Sequence, residues 1–216
     1  PTPLKKVEAF EKLKARRAIN AKAVENVNWV ERGPNNVGGR TRALMFDPND
    51  ANNKKVFAGG ISGGLWVTSD VTDENESWTN IDDFMASLSI ATLAYDPNST
   101  TTFYLGTGER YTHDFAGLGI WKSEDGGSTW THLSSTSDFS YVPKIVITST
   151  STIIAATENG IKRSTDGGAS WTSPATVNVD MSDVELASNG DLYAGGFTGR
   201  IFKSTDDGAT WSSINP

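Results

Sequence analysis

The chemically richest stretch of the sequence is Glu109-Arg110-Tyr111-Thr112-His113-Asp114-Phe115-Ala116-Gly117, in which two carboxylates, a guanidinium, a phenol and an imidazole fall within six residues. An aromatic platform beside charged groups holds sugars and peptide side chains, because the ring offers apolar contact and the charges fix orientation. Glu109, Arg110, Tyr111, His113 and Asp114 are therefore candidate ligand-binding residues. Arg40 and Arg42 join them, being two apart in a strand-like run and so pointing to the same side. The alternative is a solvated loop in which Glu109 pairs with Arg40 or Arg110. Metal chemistry is not expected: His113 adjoins Asp114, but the other histidine, His132, is distant and no zinc-like spacing occurs. With no cysteine there is no thiolate ligand, thiol nucleophile or disulfide framework. The Gly-Gly pairs at 126–127 and 167–168 open no helix, so they form no phosphate loop. No cofactor is expected.

The elements that must carry these residues are declared by an internal repeat. Ser123-Glu-Asp125-Gly-Gly127-Ser-Thr-Trp130, Ser164-Thr-Asp166-Gly-Gly168-Ala-Ser-Trp171 and Ser204-Thr-Asp206-Asp-Gly208-Ala-Thr-Trp211 are near-copies. A fourth, degraded copy runs from Thr68-Ser69-Asp70 to Ser77-Trp78. Trp78, Trp130, Trp171 and Trp211 stand 52, 41 and 40 residues apart. Each box closes a larger unit. A first strand (41–48, 89–97, 141–149, 181–189) is followed by a second (56–59, 103–106, 153–156, 192–195) and by a third leading into the box (65–66, 120–121, 161–162, 201–202). A fourth strand starts at the Trp. Four short strands at this period are the sequence signature of propeller blades.

The box has its own physical logic. Its Asp accepts hydrogen bonds within the turn, Gly supplies positive φ, and Trp buries a large ring between strands. Asp125, Trp130, Asp166, Trp171, Asp206 and Trp211 are accordingly structural residues, and all four Trp, Trp78 included, are expected at equivalent buried positions.

The S-x-D-x-G-x-T-W box resembles the Asp-box, or BNR, repeat of sialidases, xyloglucanase-type glycoside hydrolases, sortilin-like receptor domains and many secreted bacterial propellers. The resemblance covers residues 27–216. Gly33-Pro-Asn-Asn-Val-Gly-Gly-Arg40-Thr-Arg42 and Gly106-Thr-Gly-Glu109 look like segments of large propellers, sortilin-like and glycosidase-like, exported through the bacterial type IX route. It implies an all-β propeller of four four-stranded blades, part of a larger ring left incomplete here. It also implies a secreted or cell-surface location and a glycan or protein ligand, with secretion machinery as a further partner. Xyloglucanase-type enzymes resemble the chain at Gly63-Gly64-Leu65-Trp66, but their catalytic Asp falls two residues before the paired Gly, where this chain has Ile61. Hydrolysis needs two carboxyls about the scissile bond, so the expectation is non-catalytic binding. The alternatives are a glycoside hydrolase with its carboxylates in other blades, and a sortilin-like peptide-binding or assembly factor. A sialidase would need three converging arginines and a Tyr–Glu pair; Arg40, Arg42, Arg110, Tyr111 and Glu109 supply only the residue types.

In such blades the loops between strands two and three share a face with the connections between blades, opposite the boxes. That face gathers Asn35, Asn36, Arg40, Arg42, Asp82, Asp83, Phe84, the stretch 109–114 and Glu158, and the two arginines could line the central channel. Residues 1–26, with Leu4, Val7, Phe10 and Leu13 at threefold spacing, read as an amphipathic helix or spacer, basic by seven Lys/Arg to three Asp/Glu. The formal charge of −7 therefore leaves −11 on residues 27–216, a poor surface for nucleic acid. No apolar run is long enough to span a bilayer. Val27-Asn-Trp29-Val30-Glu31 resembles Trp78-Thr-Asn-Ile81 and is expected to supply an outer strand to a last blade.

Overall fold

The computed structural model describes residues 11–12, 39–83, 85–111 and 115–214. The expected closing strand at 27–31 and, apart from helical Glu11 and Lys12, the expected helix over 1–26 lie outside these residues. From residue 39 onward the described chain is strands and turns, with two short 3-10 turns at Ser134–Thr136 and Ala175–Val177.

Fifteen strands fall into four antiparallel sheets. Blade 1 holds β1 (Thr41–Phe46), β2 (Val56–Gly60), β3 (Gly64–Thr68) and β4 (Thr79–Asn80); blade 2 holds β5 (Ile90–Asp96), β6 (Ser99–Thr107), β7 (Ile120–Ser123) and β8 (Thr131–His132). Blade 3 holds β9 (Lys144–Ile147), β10 (Ile153–Thr157) and β11 (Gly160–Ser164), its fourth strand reduced to one bridge between Arg163 and Thr172. Blade 4 holds β12 (Met181–Leu186), β13 (Leu192–Gly196), β14 (Ile201–Ser204) and β15 (Ser212–Ser213). The first strands β1, β5, β9 and β12 adjoin one another in that order, so they line the axis of a propeller arc.

Alternation of side chains gives every blade two apolar faces, and three buried clusters fill the three gaps. Phe57 of blade 1 meets Phe103 of blade 2 edge to face at 5.6 Å. Tyr104 and Ile120 of blade 2 pack with Ile145 and Ile153 of blade 3. Ile154 and Ile161 of blade 3 pack with Val184 and Leu192 of blade 4. In blades 2, 3 and 4 a box joins the third strand to the Trp that follows it. In the box of blade 2 the Ser123 hydroxyl donates to Asp125 (2.8 Å) and accepts from the Gly127 N–H (2.9 Å). Asp125 further accepts from the Thr129 N–H (2.9 Å) and hydroxyl (2.7 Å). The same bonds recur about Asp166 and Asp206.

These bonds stabilise the ionised carboxylates and hold Asp125, Asp166 and Asp206 at a pKa of about 2. The Thr129 N–H is the largest cause for Asp125, and the Ser170 and Thr210 hydroxyls are for Asp166 and Asp206.

The tryptophans depart from the expected equivalence. Trp211 is buried and Trp130 and Trp171 are half-buried, but Trp78 is 42% exposed. The reason is local. Three extra residues and the absence of a Gly pair let Asp70 turn to Lys54 (2.6 Å) and to its own Thr72, so no box turn forms to carry Trp78 inward.

Candidate functional site

Box turns sit at the end of the sheets that carries the first hairpins: the Gly126 N–H donates to Thr101 O and the Val71 N–H to Lys54 O. The opposite end carries the turns between second and third strands, the links between blades, and the long β6–β7 connection. There the starts of the inner strands enclose a cleft of about 240 Å³. Its lining includes Arg42 and Leu44 from β1, Tyr111 from the β6–β7 connection, Lys144 from β9, and Ser182 and Asp183 from β12.

The β6–β7 connection is pinned across this mouth. Glu109 and Phe115 exchange both backbone hydrogen bonds at 2.8 Å, closing the base of the loop. The Tyr111 hydroxyl donates to Ser182 O of blade 4 at 2.5 Å, and Arg110 pairs with Asp180 at 2.7 Å. Tyr111 also meets Phe197 of blade 4, centroids 5.1 Å apart. Thus the loop ties blade 2 to blade 4, and it also holds the entry to blade 3, where the Gly117 N–H donates to Ser140 O at 2.7 Å and Arg110 lies over the Tyr141 ring.

Glu109 is the keystone of this arrangement. It is 2% exposed, accepts the Tyr111 N–H at 2.6 Å, and stands 3.8 Å from both the Arg40 and the Arg42 guanidinium. A buried carboxylate needs such partners to offset lost hydration. Arg42 in turn lies over the Tyr111 ring, 3.8 Å from its centroid, a cation–π contact. Arg40, Arg42, Glu109, Arg110 and Tyr111 are therefore assembled at the mouth. The pairing of Glu109 with both Arg40 and Arg42 matches the structural alternative read from sequence, whereas Arg110 goes to Asp180. His113, Asp114, Asn35, Asn36 and Phe84 lie outside the described residues. Glu158 accepts the N–H groups of Ser140 (2.7 Å) and Tyr141 (3.1 Å), which fixes the entry to blade 3.

Among the cleft residues that were not sequence candidates, Lys144, Ser182 and Asp183 carry the chemistry. A signal for two of them existed. By register, Lys144 and Asp183 stand where blades 1 and 2 have Ala43 and Thr92, so an inner-strand position turns charged in blades 3 and 4. Lys144 pairs with Glu185 at 2.5 Å. Asp183 opens to solvent at the rim, yet crowding by the cleft walls strips hydration and raises its pKa, against the lowering pull of Lys144. Burial likewise raises Asp180, offset in part by Arg110, and raises the Tyr111 phenol. Ile61, at the position of the xyloglucanase-type acid, is buried, with its N–H donating to Arg40 O. Among the described residues no group of three or more His, Asp or Glu could hold a metal ion, and no helix is long and apolar enough to cross a membrane.

No protein-family model matches the sequence, and neither does any curated protein. Solved structures do match. The chain is similar to the GH74 enzyme of Niastella koreensis at 24% identity and a TM-score of 0.63, covering 83% of this chain and 30% of that one. It is similar to YCF48 bound to D1 peptide at 16% and 0.54, covering 82% and 54%. PorZ, an essential bacterial surface component of the type-IX secretion system of Porphyromonas gingivalis, is similar at 17% and 0.54, covering 82% and 23%. At these identities the likeness shows the fold, an incomplete β-propeller, and the chain spans from about a quarter to about half the length of these neighbours.

Proposed function

We propose that this chain is part of a non-catalytic Asp-box propeller, exported to the cell surface, that binds a protein or glycan ligand at the axial mouth. The observation that carries this reading is the cleft itself. Arg42, Tyr111, Lys144, Ser182 and Asp183, drawn from blades 1 to 4, converge on one opening, whereas the position of the xyloglucanase-type acid holds buried Ile61.

Within that reading a peptide fits better than a sugar. A stacking platform needs a free aromatic face, and Arg42 already covers Tyr111. The remaining groups are charges and carbonyls suited to a peptide chain. YCF48 with its bound D1 peptide and PorZ at a bacterial surface are propeller neighbours in keeping with this reading. A hydrolase reading draws on the GH74 neighbours and would place its carboxylates elsewhere.

The test is a paired screen of the chain on peptide and glycan arrays, followed by titration of each hit against the double variant Lys144→Gln, Asp183→Asn. The expected result is a loss of affinity of about tenfold or more with an unchanged melting temperature. Unaltered affinity in the double variant would remove the cleft from consideration, and cleavage of xyloglucan by the chain would favour the hydrolase reading.

A further inference from the structure

The polar groups of the axial cleft differ in what they have left to offer a ligand. Two hydroxyls spend their hydrogens inside the protein, Tyr111 on Ser182 O at 2.5 Å and Ser182 on Gly195 O at 3.0 Å. The two cations that line the cleft are matched by carboxylates, Arg42 by Glu109 at 3.8 Å and Lys144 by Glu185 at 2.5 Å. Asp183 is different. Among the described residues no lysine or arginine nitrogen stands within 4 Å of its carboxylate, which accepts the N–H of its own neighbour Val184 on Oδ1 at 2.9 Å. A carboxylate accepts up to about four hydrogen bonds, so most of the capacity of Asp183 is open. The hydroxyl oxygens of Tyr111 and Ser182 likewise keep lone pairs. This wall of the cleft therefore presents acceptors, and their complement is a group made only of donors, an ammonium or a guanidinium.

Shape selects the same class. At about 240 Å³ the cleft is smaller than the roughly 300–1,000 Å³ of pockets that enclose a whole small ligand, so it suits a side chain of a longer one. The strand position that carries Lys144 and Asp183 on blades 3 and 4 carries the small Ala43 and Thr92 on blades 1 and 2, which keeps the space between the strands open. Ala43, Ala91, Leu93 and Pro143 give the cleft an apolar wall. Lysine and arginine lay their stems along such a wall and keep the charged head among polar groups. The crowding that strips hydration from Asp183 adds to the effect, because a partly dehydrated carboxylate gains more from a cation than a fully hydrated one.

We propose that the cleft receives a basic side chain, lysine or arginine, of a peptide ligand, its cationic head against Asp183 and the Ser182 hydroxyl oxygen and its stem along Ala43 and Leu93. Arg42 and Lys144 oppose the incoming cation little, each being neutralised by its own carboxylate. This inference rests on the reading of the cleft as a peptide site and adds which side chain is recognised there.

The test uses four capped peptides, acetyl-Ala-Ala-X-Ala-Ala-amide with X lysine, arginine, leucine or glutamate, titrated into the isotope-labelled chain while the amide resonances of residues 181–184 are followed by NMR. The lysine and arginine peptides are expected to shift these resonances saturably and to bind about tenfold or more tightly than the leucine and glutamate peptides. In Asp183→Asn, which keeps an oxygen for the Val184 N–H, the four peptides are expected to bind alike. If circular dichroism shows that variant misfolded, Asp183→Ser replaces it. Equal binding of all four peptides by the unmodified chain, a preference for glutamate, or a preference for lysine that survives in Asp183→Asn would overturn the inference and leave a peptide site at the mouth standing. Unshifted resonances with all four peptides would overturn it and remove the cleft as a peptide site as well.

Discussion

The box glycines offer the sharpest check on how blades are joined. In the box of blade 2, Gly126 and Gly127 are adjacent and both have positive φ, +69° and +86°. A Cβ on Gly126 would meet nothing within 4 Å, whereas one on Gly127 would stand 2.8 Å from Phe57 of blade 1 and 3.2 Å from Phe103. Alanine in left-handed backbone costs roughly 1–2 kcal/mol, offset by about 0.4–1 kcal/mol because it restricts the unfolded chain more than glycine does. Gly126→Ala should therefore cost about 1 kcal/mol. Gly127→Ala carries the same strain plus overpacking, typically about 1–3 kcal/mol where neighbours cannot retreat. Phe57 and Phe103 are both fully buried and locked edge to face, so the upper part of that range applies. The expected total for Gly127→Ala is about 3–4 kcal/mol. Gly168 and Gly208 should fall between, because the nearest obstacle to each is one terminal methyl of an aliphatic side chain, of Leu133 and of Ile154, and not a pair of interlocked rings. Guanidinium denaturation of the four variants, with slopes compared to confirm a shared mechanism, gives the ordering. Equal losses for Gly126→Ala and Gly127→Ala would refute the claim that the box turn presses into the preceding blade.

Further outcomes follow from individual residues. Asp207 holds positive φ (59°) where the other two complete boxes have glycine, and its carboxylate accepts from Thr150 (2.7 Å) and Thr152 (2.5 Å) of blade 3. Asp207→Ala should destabilise about 1 kcal/mol more than Asp207→Gly, since only glycine relieves the backbone; a denaturation midpoint decides it. Glu109→Ala removes the acceptor of the Tyr111 N–H and leaves Arg40 and Arg42 facing each other. A loss of about 1–3 kcal/mol is expected by the same measurement, since the arginines left behind are partly solvated, and Glu109→Gln should recover part of it. Burial holds the His132 imidazole below its usual pKa, against the raising pull of a bond to Leu118 O. Below about pH 6.5 the unfolded chain then binds a proton that the folded chain refuses, so stability should fall as pH drops through that window. The fall should be shallower in His132→Phe, read as melting temperature against pH.

What was legible in the sequence and what was not divide along a physical line. The blades, their strands and the structural role of Asp125, Asp166 and Asp206 follow from local pattern, because a box turn satisfies its own hydrogen bonds within eight residues wherever it occurs. Trp78 shows the limit of that logic: a copy with its turn broken keeps the residue and loses the burial. The site was harder because it is made between blades. Arg40, Arg42, Glu109, Arg110 and Tyr111 could be named from type and spacing, but the loop reads as a free platform until its partners are known. Ser182 O and Asp180 lie about seventy residues further on, in blade 4, and they turn the loop into a brace. Lys144 and Asp183 were missed for the same reason. Each is unremarkable in its own strand and becomes informative only when the inner strands are set in register, where charge replaces Ala43 and Thr92. Rigidity is then part of the argument for recognition. Glu109, Arg110 and Tyr111, held inside and across the mouth by these partners, would lose little conformational freedom on meeting a ligand, so under the proposed reading contacts at Arg42 and Asp183 would not be offset by ordering these three residues.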